Sequence, residues 1–491
     1  MVALTLLSVY CVLLMVLLIF SLAQCHVTLL ALSGKRSGEP LPEAVELPAV
    51  TVQLPVYNEY YVVGRLIDAV AAFDYPAARL EIQVLDDSTD ETSAIISERV
   101  NFWKNKGCNI RHLQRDGRKG YKAGALQFGL EQAQGEFIAI FDADFLPAPD
   151  FLRRAMRGFT SEKTGMVQAR WTYLNEQYSW LTRIQAFFLD AHFLVEQRGR
   201  HNGRLFFNFN GTAGVWRKNA ITDAGGWEHD TITEDLDLSY RAQLRGWQFN
   251  FLEDLEAPSE LPVEINAVKS QQYRWAKGSA ETGLKLWAMI LRAKIPFRKK
   301  LHALFHVFNS TLFVFSFILV LISVPFSLIK LQLQATLNID FLTVFILCFI
   351  NLCFYFFISC LIKKKGWKAA ITYFLLHFPV FIAFSMAFSF FNSLAVLRAW
   401  LGYRSEFVRT PKFNVLENAQ MPSRNRYVKR SSFHRSFWEG LLALYFFGGL
   451  IGTCFTGEFL ITPFFLLLTI GFGSLAWMTV QHNRKTSPFL D

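Results

Sequence analysis

The residues with the clearest chemical potential are two aspartates, Asp142 and Asp144, which follow the apolar run Phe137 to Phe141. An uncharged run of this length is typical of a fully buried strand, so the two carboxylates stand where that strand should end. Because alternate residues of an extended segment point the same way, both carboxylates can face one ligand. Paired oxygen ligands suit Mg²⁺ or Mn²⁺ beside a diphosphate. Two solvated loop carboxylates are the plain alternative.

The stretches before this run predict the sheet that would position it. Short strands at Val50 to Leu54, Leu80 to Leu85 and Ile110 to Gln114 alternate with helical stretches, which implies parallel pairing and a doubly wound sheet. Ligands bind such sheets at the carboxyl ends of the strands. Four unrelated surface loops remain the alternative to one shared edge. The polar residues that would gather at such an edge are Glu59, Asp87, Lys122, Asp142 and Asp144.

Two later stretches carry groups that suit a sugar. Residues 206–214 mix aromatic rings with small and amide residues, among them Asn210, Gly211 and Thr212. A Gly-rich core turn would have the same composition. The run Thr233-Glu234-Asp235 begins a predicted helix, which Thr233 can cap. A carboxylate at that helix start, near a bound sugar, can also take a proton from an acceptor hydroxyl.

A third stretch suits the phosphate end of a substrate. Gln271, Arg274 and Trp275 place a guanidinium, which suits a diphosphate, beside an indole, which suits the apolar face of a pyranose. The sequence has neither a P-loop nor a GxGxxG run, so a dinucleotide site is not supported. A nucleotide held by carboxylates, a metal and a lysine is the alternative that the sequence favours.

Composition and charge point to a membrane rather than to nucleic acid. The 491 residues include 49 Phe, and much of the net charge of +10 flanks apolar runs, which indicates contact with lipid headgroups. Seven cysteines occur without a CxxC pair, which argues against a disulfide framework or a zinc site. Since a single cysteine, Cys108, falls in the soluble part, we expect that part to lie in a reducing compartment.

Apolar runs at both ends predict several spanning helices. The run Val2 to Ala23 lacks a basic start, which favours a retained helix over a cleaved signal peptide, and Lys35 and Arg36 place its end in the cytoplasm. Residues 369–397 are apolar between basic flanks, so we expect an interfacial or re-entrant segment there rather than a crossing. Further crossings are predicted at 304–328, 341–362, 440–455 and 459–480.

These patterns divide the chain into six regions. Residues 284–300 alternate apolar and basic patches, which is typical of an amphipathic helix on the inner leaflet, although an exposed helix of the soluble domain would look similar. The predicted division is 1–30 as a transmembrane helix, 38–283 as a cytosolic domain, 284–300 as an interfacial helix, 301–397 as transmembrane and interfacial helices, 398–436 as a basic cytosolic loop and 437–482 as a transmembrane hairpin.

The order of four motifs resembles one enzyme family. LDDS, DADF, TEDLD and QQYRW resemble the D, DxD, TED and QxxRW series of processive family 2 inverting glycosyltransferases, which include cellulose synthase. The stretches FNGTAGVWR and AGGWEHDTITEDLDLSYRAQLRGW look most like plant cellulose-synthase-like glucomannan mannosyltransferases and xyloglucan-backbone glucan synthases. The resemblance implies a GT-A-type, doubly wound mixed sheet inserted between transmembrane helices. It also implies a multi-pass protein of the bacterial inner membrane or of the Golgi or plasma membrane, with its catalytic domain in the cytosol.

The resemblance implies a role for each motif residue. Asp235 would be the general base, and Asp142 and Asp144 would hold Mg²⁺ or Mn²⁺. The residues implied to bind the nucleotide sugar are Glu59, Asp87, Lys122, Asp142, Gln271 and Arg274. Those implied to bind the acceptor are Trp275, Asn210, Gly211, Thr212 and Glu234. Residues 407–412 resemble the gating motif FxVTxK through Phe407, Thr410 and Lys412, but Arg409 stands where the family has Val.

Several alternatives stay open at this stage. The donor is UDP-glucose or GDP-mannose, and the product is a β-glucan or a β-mannan that is secreted across the membrane, with room for additional secretion subunits. A non-processive enzyme that glycosylates a lipid, as ceramide glucosyltransferases do, has the same motif order. A transporter or assembly subunit with an inactive catalytic domain is a third interpretation, against which the intact acidic residues argue.

Overall fold

The computed structural model describes residues 2–33, 47–333, 341–403, 409–415, 427, 433–457 and 459–485. A seven-stranded mixed sheet forms the centre of the part between the first and last apolar helices, in the order β3-β2-β1-β4-β6-β5-β7. The strands are β1 Val50–Val56, β2 Leu80–Asp86, β3 Ile110–Gln114, β4 Phe137–Ile140, β5 Thr164–Tyr173, β6 Gly214–Arg217 and β7 Gln248–Ser259.

The first four strands pair as the sequence predicts. Strand β1 lies parallel to both β2 and β4, and β2 lies parallel to β3. Strand β6 then lies antiparallel to both β4 and β5, while β5 and β7 are parallel. The predicted mixed sheet is therefore confirmed, with β6 as the strand that reverses direction.

Helices cover both faces of the sheet because the strand residues alternate between two apolar cores. Phe137 and Phe141 belong to one cluster, with residues of α2, α3 and α5, whereas Ile138 and Ile140 belong to another, with residues of α4, α8 and α9. The helices of this part are α2 Val63–Ala71, α3 Thr92–Asn105, α4 Tyr121–Gln132, α5 Phe151–Met156, α6 Trp180–Ala191, α7 Arg198–Asn202, α8 Lys218–Asp223 and α9 Glu234–Leu244.

The remaining helices are long and mostly apolar. Within the part of the chain that the structure describes, five are long and apolar enough to cross a membrane, or six if the bent pair α11 and α12 is one span. These helices support the prediction that the chain is a membrane protein. The first is α1 Val2–Ser33, and the others are α10 Ile265–Arg292, α11 Phe297–Val307, α12 Thr311–Leu333, α13 Phe341–Lys363, α14 Trp367–Trp400, α15 Phe433–Thr456 and α16 Thr462–Lys485, of which α10 is not a candidate span.

The predicted amphipathic helix at 284–300 is wrong in its boundaries. Helix α10 begins at Ile265 and continues without a break to Arg292, so the predicted domain end at residue 283 falls inside it. The break comes at Ala293, which is extended, and α11 follows Pro296. A proline disfavours helical geometry in the residue before it, which accounts for the break at this place.

Helix α14 is one continuous helix, which contradicts a re-entrant loop at 369–397. Residues next to each of its ends contact other elements of the chain. Lys363, just before the helix, contacts Glu176 and Asp190 at 2.7 and 2.6 Å, and just after it Lys277 donates to the carbonyl of Tyr403 at 2.6 Å. A straight helix of 34 residues is about 51 Å long, more than a bilayer core is thick. Helix α14 is also one of the five helices that are long and apolar enough to cross a membrane, so its interfacial placement stays a prediction.

Candidate active site

The carboxyl ends of β1, β2 and β4 open into a cavity of about 220 Å³. Charged residues line this cavity, and two of them, Glu59 and Lys412, lie more than three hundred positions apart in the sequence. Of the residues predicted from sequence, those that line it are Glu59, Asp87, Lys122, Asp142, Asp144, Asn210, Gly211, Glu234, Asp235, Gln271, Arg274, Trp275, Thr410 and Lys412. The structure therefore brings the four motifs to one place, and the role of each residue stays a prediction.

Two predicted residues are not in this lining. Thr212 is buried at 1% exposure, and its hydroxyl accepts the backbone N–H of Asp142 at 2.8 Å. It therefore fixes the position of the first aspartate instead of facing an acceptor sugar, because the chain turns inward after Gly211. Phe407 lies outside the described residues.

Each aspartate of the Asp142–Asp144 pair contacts a lysine. Lys122, in the first turn of α4, lies 2.5 Å from the Asp142 carboxylate and also donates to the carbonyl of Gly211 at 2.9 Å. Lys412 lies 2.7 Å from the Asp144 carboxylate. Burial raises the pKa of Asp142, and the Lys122 ammonium opposes that rise.

These two carboxylates fit a divalent cation by the chemistry of their oxygen donors. They follow the same strand and line the same cavity, and each would have to exchange its lysine partner for the cation. A second acidic group, Glu228, Asp230 and Asp237, also has oxygen atoms close enough for a metal. That group surrounds the ammonium of Lys285, at 2.6, 2.7 and 3.0 Å, and its three acids are not among the residues that line the cavity.

Asp235 and Glu234 occupy the first turn of α9, where the backbone N–H groups favour negative charge. Burial raises the pKa of Glu234 to about 7, and repulsion from Asp235 adds to the rise. Burial also raises the pKa of Asp235 to about 6, against the opposing effect of Lys122. The predicted cap by Thr233 is wrong, since its side chain makes no cap and lies 3.1 Å from the Thr282 hydroxyl.

Helix α10 carries Gln271, Arg274 and Trp275 into the cavity. Its start is fixed by the Glu264 carboxylate, which accepts the N–H groups of Asn266 and Ala267 at 3.0 and 2.9 Å. Burial lowers the pKa of Arg274 to about 10, so its guanidinium still carries its charge at neutral pH. A charged guanidinium at this position can face a diphosphate.

Residues 409–415 cover one side of the cavity. Arg274 donates to the Thr410 hydroxyl at 2.7 Å, and Arg409 lies 3.4 Å from the Glu59 carboxylate. Burial raises the pKa of Glu59 to about 8, and Arg409 opposes the rise. Arg409, which stands where the FxVTxK motif has Val, thus pairs with Glu59 inside the site. The sequence did not indicate this ion pair.

Two arginines of the loop before α4 were missed by the sequence reasoning. Arg115 holds both oxygens of Asp87, at 2.7 and 2.6 Å, and Arg118 lies over the ring of Tyr57 at 3.2 Å. The basic run around Gly117 was the available signal, but sequence spacing alone does not say which acid each arginine meets.

The family described as Glycosyltransferase like family 2 matches residues 48–278. Glucomannan 4-beta-mannosyltransferase 2 of Arabidopsis thaliana is 44% identical over 281 residues, which are 55% of this chain and 53% of the relative. Probable glucomannan 4-beta-mannosyltransferase 3 of Oryza sativa subsp. japonica is 44% identical over 294 residues, which are 58% of this chain and 53% of the relative. The chain thus spans about half the length of the curated relatives that it matches.

A solved structure shares the fold. A mannosyltransferase from Pyrobaculum calidifontis, in complex with GDP-Man and Mn²⁺, aligns with a TM-score of 0.56 and 18% identity. The alignment covers 81% of this chain and all of that chain. At this identity the likeness concerns the fold alone, and it confirms the predicted GT-A-type sheet domain.

Proposed function

We propose that this chain, whose residues 48–278 form a glycosyltransferase family 2 domain, transfers a hexose from a nucleotide sugar to a growing β-linked glycan. The observation that carries the proposal is the shared cavity of Asp235, the Asp142–Asp144 pair and Arg274. A base, a cation site and a diphosphate-binding guanidinium are the groups that sugar transfer from a nucleotide requires. The names of the plant relatives make a β-mannan product and a mannose-carrying donor the first to test.

In the proposed reaction, Asp235 takes the proton of an acceptor hydroxyl, whose oxygen attacks the anomeric carbon as the bond to the diphosphate breaks. Attack from the opposite face turns an α-linked donor into a β-linked product. Lys122 and Arg274 offset the charge that develops on the leaving diphosphate. A divalent cation held by Asp142 and Asp144 would supply further neutralisation of that charge.

The location of the site fits a product that leaves through the membrane. Helix α10 carries three of the cavity residues and also contacts α14 and α16. Its Lys269 forms a buried ion pair with Glu439 of α15. We therefore propose that the sheet domain lies against the inner leaflet, in the cytosol, and that the glycan enters the helix bundle from this cavity.

The test is transfer by the purified protein in lipid nanodiscs, with labelled GDP-mannose or UDP-glucose supplied in separate reactions. We expect a polymer that a β-mannanase or a β-glucanase degrades, and release of nucleoside diphosphate that depends on the acceptor. A single-sugar lipid as the product would replace the polymer proposal by lipid glycosylation. No acceptor-dependent release with any nucleotide sugar would reject the transferase proposal.

The rate should depend on pH through Asp235. Its pKa is raised to about 6, and the base form predominates only above that value, so the transfer rate should fall as pH drops through about 6. An ordinary carboxylate would remain ionised to about pH 4. Single-turnover transfer measured between about pH 4.5 and 8 checks this, with nucleotide binding followed in parallel. A rate that stays constant down to about pH 4.5 would contradict the raised pKa.

Lys412 should compete with a metal ion for Asp144. Replacing it by Ala leaves a partly buried carboxylate without its ammonium, a state that a cation relieves, so Mn²⁺ should bind about three- to tenfold more tightly. Lys412→Arg keeps the charge and serves as the control. The affinity can be measured by Mn²⁺ paramagnetic resonance without any sugar donor. Unchanged or weaker binding by Lys412→Ala would show that residues 409–415 do not oppose the metal.

A further inference from the structure

The helix that precedes the Asn210 loop contains a π-helical turn. Helix α6 passes into this turn at His192–Gln197 and continues as α7. Such wide turns inside an α-helix add one residue and often lie at functional sites, because they turn side chains toward a new direction. Here the turn directs His192 toward the loop that lines the cavity.

The imidazole of His192 lies between two oxygen acceptors. Its Nδ1 is 3.0 Å from the Glu196 carboxylate, and its Nε2 is 3.0 Å from the side-chain oxygen of Asn210. A ring that carries a hydrogen on each nitrogen donates to both acceptors, whereas a neutral ring donates to one of them. Arg200 donates to the other oxygen of Glu196 at 3.1 Å. The Glu196 carboxylate is thereby fixed, and it fixes the orientation of the His192 ring.

The orientation of the Asn210 amide follows from its neighbours. Asn208 also donates to the side-chain oxygen of Asn210, at 3.0 Å. Because the NH₂ of Asn208 also donates to the carbonyl of Phe209 at 3.1 Å, the opposite orientation of the Asn210 amide would set NH₂ against NH₂. The backbone is fixed as well, because the N–H of Asn210 donates to Gln168, whose amide nitrogen holds the carbonyl of Ala213 at 3.1 Å.

The amide nitrogen of Asn210 is left as a donor in the cavity. It is buried and has no hydrogen-bond partner among the residues that the structure describes, although Asn210 lines the cavity. A buried donor without a partner is costly, and a bound ligand oxygen removes that cost. The next residue, Gly211, is close to the base, since a Cβ placed there would lie 3.1 Å from an Asp235 oxygen.

We propose that His192 is a positioning residue that holds the Asn210 amide so that its NH₂ donates to an oxygen of the acceptor glycan beside Asp235. This inference rests on the proposed transferase function. We choose the acceptor as the partner because the base must meet an acceptor hydroxyl, and Asn210 precedes Gly211, whose backbone lies close to the base. A pyranose hydroxyl or ring oxygen supplies the missing acceptor for the amide.

The test compares acceptor KM, kcat and the affinity for nucleoside diphosphate. His192→Phe keeps a ring but removes both donors, and it should raise the acceptor KM about tenfold, the effect of one lost hydrogen bond, while kcat changes little. The affinity for nucleoside diphosphate should stay within about twofold. His192→Gln, which can still donate to Asn210, should recover most of the loss.

Asn210→Ala carries the same test if His192→Phe does not fold, because it leaves the contact of His192 with Glu196 in place. In the Asn210→Ala background, His192→Phe should add nothing, since both changes remove the same interaction. A wild-type acceptor KM in both single variants, or an equal loss of nucleotide affinity, would overturn the positioning role. A wild-type protein that transfers to no acceptor would reject the proposed function itself, which is a separate result.

Discussion

An Asp235→Asn protein should bind nucleoside diphosphate as the wild type does and transfer hexose about 10²–10⁴-fold more slowly. The amide has nearly the shape of the carboxylate and keeps the N–H contacts at the start of α9, but it cannot accept the proton of an attacking hydroxyl. The variant also removes one of two buried neighbouring acids, which should not harm folding. The measurements are single-turnover transfer of labelled hexose and binding of labelled nucleoside diphosphate.

Glu234→Gln is the matched control, because Glu234 lies in the same helical turn and the same cavity. We expect it to lose at most about tenfold, since it removes no group that takes the proton. Normal turnover by Asp235→Asn would remove the base assignment. A larger loss in Glu234→Gln than in Asp235→Asn would transfer that assignment to Glu234.

Asp144→Asn should abolish metal-dependent binding of the nucleotide sugar and lower the transfer rate by at least about 10²-fold. The change removes one of the two anionic donors that fit a divalent cation, and the amide that replaces it is a weaker ligand. A chelator should inhibit the wild type to a similar extent and should have little further effect on the variant. Titration of nucleotide-sugar binding with Mn²⁺ measures both outcomes.

The second acidic group provides the control for this prediction. Asp230→Asn alters an exposed acid that pairs with Lys285, away from the cavity, and should leave metal-dependent binding unchanged. If Asp230→Asn lost metal dependence while Asp144→Asn kept it, the cation site would belong to the group around Lys285.

The first half of the sheet was predictable because its short strands alternate with helical stretches, and because β1, β2 and β4 are each followed by acidic residues. Strands β1, β2, β3 and β4 begin where the sequence placed them, and the acids that follow them meet in one cavity. Strands β5, β6 and β7 lack that signal. Strand β6 is only four residues long, and its antiparallel place between β4 and β5 depends on pairing that local sequence does not record.

The side-chain contacts within the site could not be predicted, because most of them join residues that are far apart in the sequence. Lys412 meets Asp144 and Arg409 meets Glu59 across more than two hundred and fifty positions, and no local pattern identifies such partners. Thr212 was assigned to the acceptor because of its neighbours, but it turns inward to bind Asp142. The buried pair of His192 and Glu196 gave no sequence signal, because a π-helical turn has no characteristic composition.

The lengths of the apolar runs predicted that membrane helices exist. Hydropathy alone did not predict where these helices begin and end, or where they lie. Residues 369–397 were predicted as an interfacial or re-entrant segment, but they belong to one continuous helix that is long and apolar enough to span a membrane. Likewise, α10 continues through the predicted boundary at residue 283, because its inward face packs on α9 and α14 and its surface carries the cavity residues. Placement there is determined by packing between elements.

The most direct test is a structure of the protein in a lipid nanodisc with Mn²⁺, a nucleoside diphosphate and a short acceptor glycan. We expect the diphosphate between Asp144 and Arg274, the cation on Asp142 and Asp144, and an acceptor hydroxyl within hydrogen-bond distance of Asp235. A diphosphate bound outside this cavity, or an acceptor that ends away from Asp235, would contradict the proposed site.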